Sequence, residues 1–218
     1  MWAIMASRPS LPLSGDVSQL VLVYLVATRI LMMFFIWALL ALAVLDAEHL
    51  WLPDFLTLTG TGIGLAVAGI EPFVLVWLSA ATRLPLSEGI DRASLGPWSR
   101  TVERCFAALI AAGLIFFIRW AYWLVRRREG IGLGDAKLMA MLAAWLGLPG
   151  ALVAFAIGVV LGAMVGIVLL LKANTGDGTA MTGLTKLPLG TFLCIGGIVS
   201  ALWGSEILGA YIRWAGLA

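Results

Sequence analysis

The chain has 218 residues, of which 62% are apolar and 12% charged, with a formal net charge of +2. Soluble domains carry about 45–50% apolar and about 25% charged residues, so this composition excludes a soluble globular domain, a disordered chain and a nucleic-acid-binding domain. Apolar runs of about 20 residues, each long enough to cross roughly 30 Å of hydrocarbon as helix, predict instead an all-α, polytopic transmembrane bundle surrounded by lipid.

Residues 1–16 hold Pro9, Pro12, Gly15 and Asp16 and no long apolar run, and they read as an extramembrane segment without a cleavable signal. The integral-membrane domain is expected over 17–218. Its first span runs from about Val17 to Leu45 and stops at Asp46. The polar junction from Asp46 to Asp54 follows, and Pro53, which has no backbone N–H, suits the first turn of a second span reaching about Ala80. A polar connection over 81–104 precedes a third span, Cys105 to Val125, which stops at Arg126, Arg127 and Arg128. A shorter fourth helix starts near Asp135 and ends near Gly147, ahead of Leu148-Pro149-Gly150. The fifth span covers Ala151 to Leu171, with Gly158, Gly162 and Gly166 spaced to let another helix approach closely. A Gly/Thr-rich loop leads to a last span from Leu187 toward Tyr211, making about six in all. The arginine triplet assigns its end of the third span to the cytoplasm. Alternation then puts the Asp46–Asp54 and Gly130–Asp135 junctions on that same side.

Ionisable groups at membrane depth cost about 2.5–3.5 kcal/mol each on insertion scales, so each calls for a reason. Asp46 ends one apolar helix. Asp135 begins another, directly after Gly130-Ile131-Gly132-Leu133-Gly134, whose alternating glycines let backbone approach backbone. Two carboxylates brought together can share one proton and divide the work of an aspartyl protease, one activating water and the other polarising a carbonyl. A structural reading stands beside this one: both are interfacial helix-end residues, and Asp135 is favoured at a helix N-terminus by the macrodipole. A proton- or cation-translocating protein or a membrane scaffold would also place acids here.

Other polar residues are ordinary on this reading. His49 is the one histidine and belongs on a polar turn, too little for a zinc site. Cys105 and Cys194 lie in apolar segments, so neither a disulfide framework nor a thiolate site is expected, and no cofactor or metal is called for. Asp177, between two glycines, reads as a turn residue. Tryptophans, Trp145 among them, mostly flank spans as interfacial anchors.

Three blocks resemble a known family. Arg128-Glu129-Gly130-Ile131-Gly132-Leu133-Gly134-Asp135-Ala136-Lys137-Leu138, continuing through Ala143-Ala144-Trp145-Leu146-Gly147, is similar to the Gly-x-Gly-Asp block of bacterial prepilin peptidases, also called type IV leader peptidases. Leu45-Asp46-Ala47-Glu48 with Leu52-Pro53-Asp54 and Leu56-Thr57-Leu58 resembles that family's first aspartate block. Leu187-Pro188-Leu189-Gly190-Thr191-Phe192-Leu193 resembles its Pro-Phe-Gly-Pro-Phe-Leu segment, from which Leu189 and Thr191 depart.

The resemblance implies an endopeptidase of the bacterial inner membrane that cleaves prepilin or pseudopilin leaders at the cytoplasmic face, with Asp46 and Asp135 as the catalytic pair. It makes Gly132, Gly134, Lys137, Pro53, Asp54, Pro188 and Gly190 supporting residues. Asp54 is expected to start its helix as a cap, and Lys137 to bias Asp135, orient substrate or anchor the cytoplasmic side. Many members carry a further amino-terminal region with paired cysteines, associated with N-methylation; no Cys-x-x-Cys occurs here, so methyl transfer is not expected. The presenilin and signal-peptide-peptidase class shares Gly-x-Gly-Asp, but has a Tyr-Asp partner and a Pro-Ala-Leu segment where this chain has Leu45-Asp46 and Leu187-Pro188-Leu189.

Overall fold

A computed structural model describes residues 15–82, 98–127, 132–173 and 188–216. Five helices make up the described chain, α1 (Gly15–His49), α2 (Asp54–Thr82), α3 (Ser99–Arg126), α4 (Leu133–Ala173) and α5 (Leu189–Trp214). Each is long and apolar enough to cross a membrane. The expected extramembrane segment lies outside the described residues, apart from Gly15 and Asp16 at the start of α1. So do most of the connection after α2, Gly130 and Ile131, and the loop carrying Asp177.

The fourth and fifth expected spans run as one rod, α4, interrupted at Gly147 (φ 77°, ψ 172°). Five long helices thus contain six segments, with α4 divided into 133–146 and 148–173. The interruption follows from Pro149, whose ring cannot coexist with a normally placed carbonyl four residues back, at Trp145. Gly147 takes the positive φ that the bend requires. The freed Trp145 carbonyl accepts a hydrogen bond from Arg104 Nη1 of α3 at 3.2 Å, and Ser200 Oγ of α5 donates to the Gly150 carbonyl at 2.7 Å. Arg104 also explains why α3 begins before Cys105. Its first turns carry charge, but Arg104 is held at the α4 bend and Arg100 pairs with Glu71 of α2 at 3.3 Å, so polar residues continue the helix.

α4 is the central element, packing against α2, α3 and α5, while α5 also packs on α1. Gly158 and Gly196 set the α4–α5 distance. A Cβ on Gly158 would stand 3.1 Å from the backbone of Leu193, and one on Gly196 would run into the Ala154 carbonyl. Phe35, Leu39, Leu42, Leu138, Leu142 and Leu193 fill the space between α1, α4 and α5. Trp145 departs from the interfacial role expected of tryptophans. It is buried, stacks on Phe35 at 4.7 Å and donates its indole N–H to the Gly60 carbonyl at 2.8 Å. Apolar side chains such as Phe55, Phe117 and Val125 cover the outside, as lipid contact requires.

Candidate active site

α1 carries Asp46 in its last turn and ends at His49. Leu50 takes a left-handed conformation (φ 52°) and donates its N–H to the Asp46 carbonyl at 2.9 Å. The chain reverses through Trp51 and Leu52. Pro53 then accepts the first helical bonds of α2 from Leu56 and Thr57, at 3.1 and 3.3 Å, so Pro53 itself occupies the cap position. Asp54 is the first helical residue, and its carboxylate binds Lys137 Nζ at 2.6 Å instead of capping the helix. Lys137 thereby ties the start of α4 to the start of α2.

Asp135 lies in the first turn of α4, where the Gly132 backbone hydrogen-bonds to its carboxyl group. Both aspartates are buried, Asp46 at 4% and Asp135 at 7% relative exposure, and Asp46 stands near enough for its charge to act on Asp135. Leu52 joins the two halves of the site. A Cβ built on Gly134 would meet its Cδ1 at 3.1 Å, and one on Gly190 would meet the same atom at 2.9 Å.

The start of α5 completes the arrangement. Pro188, extended at ψ 90°, precedes its first turn. Gly190 faces Asp46 directly, since a Cβ there would stand 2.8 Å from Oδ2. Thr191 donates to that oxygen twice, from its backbone N–H at 2.6 Å and from Oγ1 at 3.1 Å. Helix N-termini carry free N–H groups and partial positive charge, and here Asp46 engages one of those groups from a neighbouring helix.

The structure therefore gathers Asp46, Asp135, Gly132, Gly134, Pro188 and Gly190 around one end of the bundle, with Pro53, Asp54 and Lys137 bracing it. His49 stays exposed, 4.0 Å from Glu48. Among the described residues no group of three or more His, Cys, Asp or Glu side chains could hold a metal ion. A cavity of about 550 Å³ opens between α1 and α2, lined by Leu20, Tyr24, Leu31, Ile70 and Trp77 among others, and neither aspartate borders it. Thr191 and Leu52 are site residues that the sequence reading missed. Thr191 was visible only as a departure from a pattern, because its partner lies 145 positions away.

The chain is similar in sequence to several curated proteins. The chain is 30% identical over 185 residues to the prepilin leader peptidase/N-methyltransferase of Pseudomonas aeruginosa, covering 85% of this chain and 53% of that protein. It is 33% identical over 180 residues to the corresponding Pseudomonas putida protein, covering 83% and 52%. For that of Stutzerimonas stutzeri the identity is 30% over 186 residues, covering 85% and 54%. The chain spans about half the length of these curated relatives. No solved structure matches it. The model of the type IV leader peptidase family matches residues 33–167, a stretch that contains both buried aspartates. On that match and these identities, the chain belongs to the type IV leader peptidase family.

Proposed function

We propose that this protein is an aspartyl endopeptidase of the bacterial inner membrane that removes the leader peptides of type IV prepilins or type II secretion pseudopilins at the cytoplasmic face. The observation that carries the reading is the burial of Asp46 and Asp135 together at one end of the bundle. On this reading the two carboxyl groups work with one proton between them, as carboxyl groups that share a site can. The ionised member takes a proton from water as the water oxygen bonds to the scissile carbonyl carbon. The protonated member gives its proton to the carbonyl oxygen. When the tetrahedral intermediate collapses, the C–N bond breaks, the leaving nitrogen takes the proton held by the first carboxyl group, and one hydroxyl of the intermediate returns its proton to the second carboxylate as the new carbonyl forms, restoring the pair.

The cytoplasmic assignment is supported by the run Arg126-Arg127-Arg128 in the sequence, since α3 ends at Arg126 and only six residues, 127–132, separate it from the start of α4. The substrate class comes from the relatives, whose names describe prepilin leader peptidases. A prepilin's apolar helix can stay in lipid while its polar leader reaches the carboxylates. The test is to incubate purified protein with a candidate prepilin and determine the new N-terminus by mass spectrometry, which also reports any added methyl group. Asp46→Asn and Asp135→Asn should each lower cleavage at least about a thousandfold while the protein still inserts and folds. Cleavage at the wild-type rate in either variant refutes the pair.

A further inference from the structure

Resting on the peptidase reading above, the geometry around Asp46 assigns a task to a residue outside the two carboxylates. We propose that Thr191 is a positioning residue for Asp46, holding Oδ2 with its backbone N–H and its hydroxyl so that Oδ1 is the oxygen that takes the proton of the attacking water. Both donors aim at one atom, at 2.6 Å from nitrogen and 3.1 Å from Oγ1. An oxygen approached by two donors serves as an acceptor, so the carboxyl proton belongs on the other oxygen. Two bonds to one atom also restrict rotation of the carboxylate about its Cβ–Cγ bond.

The hydroxyl is itself held in place. Thr191 Oγ1 also lies 3.2 Å from the Ala43 carbonyl, one turn before Asp46 on α1, so its single proton is shared between two acceptors on the same helix end. Gly190 supplies the clearance, because a Cβ there would fall 2.9 Å from Asp46 Cγ. The resembled family pattern has proline where this chain has Thr191, and proline has neither an N–H nor a hydroxyl to give.

Steady-state cleavage of a prepilin peptide tests the assignment. Thr191→Val keeps the branched shape and the N–H but removes the hydroxyl. It should lower kcat about tenfold with KM unchanged, the size of one lost hydrogen bond to a charged group. Thr191→Ser restores the hydroxyl and should return kcat to the wild-type range, a rescue that a purely structural role for the methyl group would not give. Where thermal melts show Thr191→Val to be unfolded, Thr191→Ala against Thr191→Ser makes the same comparison. Wild-type kcat in the hydroxyl-free variant, a change confined to KM, or failure of serine to rescue would each overturn the positioning role. Asp46→Asn is run alongside. If it is inactive while Thr191→Val is unaffected, only the positioning role falls; if it is active, the peptidase reading of Asp46 falls with it.

Discussion

Gly190 shows how tightly single residues define the site. The space that a side chain would need is taken by the Asp46 carboxylate and by Leu52. Neither gives way cheaply, since Asp46 is held by Thr191 and Leu52 is wedged against Gly134. Gly190→Ala should therefore move the carboxylate and lower cleavage about tenfold or more, measured as kcat on protein with an unchanged thermal midpoint. Asp54 makes the contrasting case. Its 2.6 Å bond to Lys137 is short, yet Asp54 is 63% and Lys137 34% exposed, and pairs this open contribute about 1 kcal/mol or less. Asp54→Asn should retain most cleavage activity and shift stability by no more than that, and loss of activity in a folded variant would mean that Asp54 takes part in the reaction. At this scale the two buried aspartates were legible, because a carboxylate beside long apolar runs stands out by its cost. Lys137 was legible only as a charge, its choice of Asp54 over Asp135 being decided by a contact across 83 positions.

Among the elements, α4 carries the most consequence, and its two glycine-dependent features have different origins. The bend at Gly147 follows from local chemistry, Pro149 excluding the carbonyl of Trp145 and a glycine taking the positive φ. Its position near Gly147 was readable from Leu-Pro-Gly. That Arg104 satisfies the freed carbonyl was not, because it requires α3 alongside. The close approach of α4 and α5 depends on Gly158 and Gly196 together. Gly196→Ala would drive a methyl group into the Ala154 carbonyl and force the helices apart, so it should destabilise the protein by about 1–3 kcal/mol in detergent unfolding. Gly62→Ala, on α2 with nothing within 4 Å, is the matched control and should be neutral or stabilising by up to about 1 kcal/mol. Equal destabilisation by both substitutions would mean that helix propensity and not packing is being read. The spacing of Gly158, Gly162 and Gly166 announced a close helix contact; Gly196, Ser200 and Gly204 on α5 repeat small residues at the same spacing, but nothing local says that these two helices are the ones that meet.

For the molecule as a whole, the proposed orientation puts the α1–α2 junction on the cytoplasmic side. With Cys105 replaced by Ser, a cysteine at exposed His49 should react with a membrane-impermeant maleimide in inverted vesicles and not in intact spheroplasts. The reverse pattern would invert the topology and remove the cytoplasmic site. Mean composition and span lengths determined on their own that this is a helical membrane protein, since only a chain that satisfies its backbone internally can bury such runs in lipid. Two acids at span ends and three short blocks marked where chemistry could occur. Tertiary structure decided which groups meet. Asp46 and Asp135 are separated by 88 intervening residues that carry no periodic signal linking them, and Thr191 reaches Asp46 from another helix altogether. Local pattern reports what a residue costs where it stands; the partner that offsets the cost is chosen by how the helices pack, which no stretch of neighbouring residues records.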